Sequence, residues 1–354
     1  MSFLDKTRAG LSALFHRPYM WGVLAIVALL VINLIKDPGY LALSTSGGHL
    51  VGNVVDIMRA SAPILMIATG MSLVIATAGI DLSVGSVMVV SGAVSMEFLR
   101  NAGDSESVSV ALTALGLALA IGTVLGVING ILVSTVRLQP FITTLVMMLA
   151  GRGIAKVITG GQNTAAQSAP FRWIANGYVL GLPVVFLIAI VIVIVVAVVV
   201  RRTALGLMVE SVGINPGASR MAGIKPRGLL ITVYSLSALL AAVAGVFATA
   251  SVMTVDVSRT GYQMELDAIL AVVIGGTSLA GGRFSVGGSV VGALLIATLD
   301  KTVVFLGVSS SATPAFKAIV IVILCLLQSD RVRSVFARRR RRLTLQATKK
   351  EVLV

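Results

Sequence analysis

The chain has 354 residues, of which 57% are hydrophobic, 12% charged and 5% aromatic, and its mean hydropathy is +1.01. A water-soluble chain carries roughly a quarter charged residues to solvate its surface, so soluble globular classes are excluded and lipid is the expected solvent. The net charge of +14 does not imply nucleic acid: Lys and Arg lie in short connections and in a run from Arg331 through Arg342, a tail too short for that role and suited to anionic lipid headgroups.

Spanning the hydrocarbon takes about 20 apolar residues in a helix. The N-terminal segment 1–19 is a basic amphipathic lead, expected to be cytoplasmic, with no small-residue cleavage site after it. Ten apolar segments follow, at 20–35, 62–78, 84–99, 108–136, 140–158, 179–200, 228–253, 266–281, 286–308 and 314–328. The first three are shorter than a full span, and Gly79-Ile80-Asp81 interrupts the second and third, so these two read as a broken or re-entrant element. The fold class is all-α, a polytopic helical bundle of about ten spans.

The charges orient it. With both termini cytoplasmic, the inner connections hold Lys6, Arg8, Arg17, Arg137, Arg201, Arg202, Arg220, Lys225, Arg227, Arg283 and the basic tail 329–354. The outer connections hold fewer cations, each of most pairs set beside Asp or Glu, as the positive-inside rule requires. Domain organisation is therefore a transmembrane unit 20–328 between two cytoplasmic ends, with the longest inner connection at 201–227.

Polar and small residues inside the spans come next. Ala118, Gly122, Gly126 and Gly130 recur every fourth residue on one face of the fourth span, a stripe that lets a neighbouring backbone approach, and Gly288 and Gly292 read the same way. Polar groups in lipid are costly and therefore informative. Asn129 is an interhelical hydrogen-bonding residue or a pathway-lining one, Thr143 and Thr144 open the fifth span as pathway or gating candidates, and Arg152 and Lys156 are expected to snorkel or form salt bridges. Asp81 stands where it caps the next helix or takes part in gating. Glu265 and Asp267 are expected at the outer mouth of the eighth span, where they cap that helix or contact an extracytoplasmic binding protein. Ser83-Val84-Gly85-Ser86-Val87 echoes Ser285-Val286-Gly287-Gly288-Ser289, by duplication or by chance. Cys325 is the only cysteine, and His16 and His49 are isolated, so a disulfide and a Cys/His metal site are excluded and no cofactor is expected.

Within 201–227, Asn215 and Pro216 have the grammar of a helix start and Gly223 that of a stop, so a short capped helix is predicted in a connection with nothing apolar enough to insert. This loop joins four further motifs in order. They are Gly79-Ile80-Asp81-Leu82-Ser83-Val84-Gly85, Gln139-Pro140-Phe141-Ile142-Thr143-Thr144-Leu145, Gly151-Arg152-Gly153, and the run Glu265 through Gly282. Together, over roughly residues 50–328, the chain resembles the ribose/galactoside-type ABC sugar importer permeases, and its wording is nearest the galactofuranose-type branch.

The resemblance implies that Gly213, Asn215, Pro216, Ala218, Ser219, Arg220 and Gly223 form the segment that docks in a cleft of a separate ATPase subunit. It also implies a sugar-binding protein that delivers a monosaccharide, and a second permease copy or sister permease, in the inner membrane. Ser219 stands where the family usually has alanine. No G-x-x-x-x-G-K-[ST] phosphate cradle occurs, so ATP must be hydrolysed elsewhere. The alternative is an ion-coupled secondary transporter, whose coupling carboxylates would have to be Glu97 and Asp300, near helix ends and without an evident partner.

Overall fold

The computed structural model describes residues 19–309 and 311–328. The N-terminal lead, the basic tail and the side chain of Cys325 lie outside what is described. Each of the ten predicted segments contains a helix: α1 (Tyr19–Lys36), α2 (Asn53–Ala76), α3 (Val84–Asn101), α4 (Val108–Ser134), α5 (Pro140–Ile158), α7 (Val184–Arg202), α10 (Pro226–Val252), α11 (Met264–Ile274), α12 (Val286–Phe305) and α13 (Thr313–Gln328). Seven of them, all except α3, α11 and α13, are long and apolar enough to cross a membrane. The count of ten spans is thus not established, although the all-α polytopic architecture is.

Two correctives concern helices. The eighth predicted span is too short: α11 has 11 residues, about 16 Å of helix, roughly half of the hydrocarbon thickness. The connection 201–227 holds an apolar helix besides the capped one, α8 (Ala204–Ile214), which leads into α9 (Pro216–Met221). A further short helix, α6 (Ala169–Asn176), lies in the connection before α7.

The core forms around α2, α3 and α10. Ile64 through Ala76 of α2 are all buried, as are Val84 through Ala93 of α3. The glycine stripe explains how α4 joins them. A Cβ at Gly122 would meet Ala242, one at Gly126 would meet Ala238 and the Tyr234 carbonyl, and one at Gly130 would meet the Ile231 backbone. The two helices therefore run antiparallel with their backbones in contact, and the packing reading of the stripe holds. Gly288 and Gly292 do the same for α12, against Gly275 and Ala271 of α11. By contrast, α7 presents Val191, Ile194, Val195 and Val198 outward, an apolar face suited to lipid.

Short β ladders tie the connections at the end opposite α8 and α9. β1 (Ser44–Ser46) pairs antiparallel with β2 (His49–Val51), β3 (Thr164–Ala165) with β6 (Thr254–Val255), and β4 (Tyr178–Val179) with β5 (Leu182–Pro183). The β3–β6 pair brings the connection after α5 against the chain leaving α10. From there the chain turns back along α3, with Val255 beside Gly92 and Gly261 beside Gly85, a descent of about 10 Å measured along that helix. It then continues as α11 to the 275–285 turn beside the C-terminal end of α2, so 253–274 crosses the bundle half as extended chain and half as helix.

Candidate functional site

Three clusters contain the residues singled out in the sequence. The first is the α8–α9 elbow. Asn215 ends α8 and caps α9, its Oδ1 accepting from the Gly217 and Ala218 N–H groups at 2.9 and 3.0 Å, with Pro216 at the first helical position. Ser219, buried, donates its hydroxyl to the Asn215 carbonyl at 2.9 Å. Gly223, at φ +88°, adopts the left-handed conformation that ends the helix. Ala218 and Arg220 are exposed on this knob, as are Ile214 and Met221 at 74% and 88% of their surface.

The elbow is seated on the bundle through Gly213. A Cβ there would overlap the Ala76 carbonyl oxygen and the Gly282 N–H. Gly282 N–H itself donates to that same carbonyl at 2.8 Å. So the end of α2, the elbow and the 275–285 turn meet at one point. The two echoing Ser-Val-Gly segments begin the helices that leave this region: Ser285 caps α12 by accepting from the Gly288 N–H at 3.0 Å, and Ser83 precedes α3.

The second cluster surrounds the break between α2 and α3. Asp81 is fully buried. Its Oδ1 accepts from the Ser83 N–H at 3.0 Å and the Ser83 hydroxyl at 2.6 Å, and its Oδ2 accepts from the Ser237 hydroxyl of α10 at 3.0 Å. The carboxylate thus holds Ser83, the residue that precedes α3, and ties it to α10. Asn129 of α4 donates Nδ2 to the Ser83 hydroxyl at 2.8 Å, and Thr144 of α5 donates to the Ile80 carbonyl at 3.1 Å.

Asp81, Asn129 and Thr144 therefore converge on one interruption, although they are far apart in sequence. Thr143 does not join them; it is buried and donates back to the Gln139 carbonyl at 3.1 Å. Ser83 and Ser237 were missed. The signal was available for Ser237, a hydroxyl in the middle of an apolar span, where polar groups are kept for a reason.

The third cluster lies at the start of α11. Glu265 is 8% exposed with its carboxylate set against Gly85, well inside the bundle rather than at its outer rim, because the extended stretch before α11 carries it there. Its Oε2 is buried without a hydrogen-bond partner among the described residues. Arg152 does not snorkel: its Nη2 donates to the Gly261 carbonyl at 3.3 Å, and its guanidinium carbon is 5.9 Å from the Tyr262 ring centre. Asp267 instead joins Lys317 of α13 at 3.0 Å, and Lys317 also holds Asp300 of α12 at 2.7 Å. Asp300 and Glu97 thus have partners after all, the latter in Arg100 and Thr164.

Comparison with known proteins agrees with this arrangement. Residues 53–327 match the family model described as branched-chain amino acid transport system / permease component. The fructose import permease protein FruF of Bifidobacterium longum is 52% identical over 94% of this chain and 93% of its own. The galactofuranose transporter permease protein YtfT of Escherichia coli is 41% identical over 89% and 92%, and the ribose import permease protein RbsC of the same species 36% over 87% and 93%. No solved structure matches the chain. With more than three quarters of its length matched by one family model and with close relatives along nearly all of it, the chain belongs to the branched-chain amino acid transport system / permease component family.

Proposed function

We propose that this chain is the membrane-spanning subunit of an ATP-driven importer that carries a monosaccharide across the inner membrane, working with a separate ATPase, a sugar-binding protein, and a second permease copy or sister permease. The observation that carries the reading is the elbow: exposed Ile214, Ala218, Arg220 and Met221 form a knob with none of the described residues over them, seated by Gly213 on the end of α2 and the 275–285 turn. A capped, apolar-tipped helix on a basic loop is a docking element for a protein. Its seat offers a route by which a push on the knob reaches the Asp81 break.

Fructose is the first sugar to test, since the permease named for fructose import is 52% identical, followed by ribose and galactofuranose. The ion-coupled alternative is not favoured, because the half-buried Asp300 is already ion-paired with Lys317 and the relatives are import permeases. The test is co-purification in mild detergent with the partner ATPase, followed by sugar-stimulated ATP hydrolysis. Met221→Glu should weaken ATPase binding about 30-fold, the cost of losing an interface anchor worth about 2 kcal/mol. Undiminished binding by that variant would remove the elbow from the interface, and uptake without any ATPase would overturn the importer reading.

A further inference from the structure

Arg152, Tyr262 and Glu265 form a polar, aromatic cluster that the coupling elbow and the Asp81 break do not use. Arg152 lies six residues before the end of α5, about 9 Å along the helix, and Lys156 follows one turn later, exposed on the same face. Charged side chains within a span face a bundle interior or a water-filled cavity rather than hydrocarbon. Since Arg152 is only half-buried and Lys156 exposed in this chain, their face meets water or a second permease. Tyr262, 61% exposed, offers its ring on that same face.

The backbone here is held in uncommon conformations. Met253, which ends α10 three residues before the turn 256–263, and Gln263, the last residue of that turn, take left-handed backbone at φ +53° and +61°, though neither is glycine. Such outliers persist only where surrounding structure imposes them, and they concentrate at ligand clamps. Independently, Glu265 Oε2 is buried with no donor, and an unsatisfied buried oxygen calls for a specific explanation.

We infer that the turn 256–263, with Arg152 and Glu265, is a carbohydrate subsite on the wall of the translocation pathway. This rests on the sugar-importer reading and adds the place where the sugar touches the permease. A polyol supplies what the exposed part of the cluster lacks: hydroxyl oxygens for the Arg152 N–H groups and an apolar ring face for Tyr262. A few placed polar groups beside an aromatic surface are how small-molecule sites fix orientation. Arg152 and Tyr262 are the contact residues. Glu265, within electrostatic reach of Arg152, positions the guanidinium.

The experiment uses the full complex with its ATPase and binding protein in proteoliposomes, with Cys325→Ser as background. Uptake of D-fructose, D-ribose and D-galactose by the unaltered chain identifies the imported sugar. Tyr262→Cys and Gln263→Cys are then exposed to a charged, water-soluble methanethiosulfonate, with and without that sugar, and Ile194→Cys on α7 serves as the lipid-facing control. Expected are modification of the first two, slowed about tenfold by the sugar, no modification of the third, and a KM raised about tenfold in Tyr262→Ala with kcat retained. Uptake by the unaltered chain with no sugar protection and an unchanged KM would overturn the subsite alone. Absence of uptake of every sugar would overturn the importer reading beneath it.

Discussion

The interruption after α2 and the turn before α11 each bury a carboxylate where the chain leaves helical conformation, and they treat it differently. Asp81 has donors on both oxygens, three hydrogen bonds in all, from Ser83 and from Ser237 of a neighbouring helix. Glu265 keeps one oxygen without a donor, beside an exposed tyrosine and a half-buried arginine. A saturated carboxylate in a low-dielectric interior fixes geometry, whereas an unsaturated one stores a cost that a ligand or a second conformation relieves. The Asp81 carboxylate is accordingly a bracket that keeps a broken helix in place, with Asn129 Oδ1 and the Tyr234 hydroxyl beside the break unpaired among the described residues, whereas at the second region it is the carboxylate itself that lacks a donor.

Three substitutions test this contrast. The largest effect on stability is expected for Asp81→Ala, which strands two hydroxyls and a backbone N–H. It should lower the stability of the detergent-solubilised protein by about 3 kcal/mol, read as an earlier thermal unfolding midpoint. A raised midpoint would show instead that the bundle tolerates a net charge cost at this position. Asn129→Ala removes a single donor to Ser83 and should cost about 1 kcal/mol in the same assay. If it costs as much as Asp81→Ala, the bracket behaves as one cooperative unit rather than as a hub with a spoke.

The smallest change is expected for Glu265→Gln, within about 0.5 kcal/mol of the unaltered protein, because the amide keeps the shape and no hydrogen bond to Oε2 is lost. Its transport rate should fall nonetheless. A loss of stability comparable to that of Asp81→Ala would place Glu265 in the scaffold and erase the contrast.

Several of these features were legible from the residues alone. The spacing of Gly122, Gly126 and Gly130 predicted a backbone-to-backbone contact, and α10 makes it. Asn215-Pro216 with Gly223 predicted the capped α9, and capping is local, needing only the residues that form it. Hydropathy failed where it had to. The run from Leu266 onward is apolar enough for a span, yet α11 stops at Ile274 and its first residues lie beside the start of α3. Glu265 was read as an outer-rim residue because counting along a presumed full span puts it there. α8 was read as loop because a span-length window passes over a helix of only 11 residues that also holds Glu210 and Ser211.

The sequence by itself determined the solvent, the helical class, the packing stripe and the capped helix α9, since each depends on composition or on residues within a turn or two of one another. Only the tertiary structure decided that Asp81, Asn129, Thr144 and Ser237 share one break, and that Arg152, Tyr262 and Glu265 share one turn. Such meetings are settled by how helices align side by side. A hydrogen bond across 156 residues, as between Ser237 and Asp81, leaves no periodicity in the chain, because the partner's position is set by helix packing rather than by spacing.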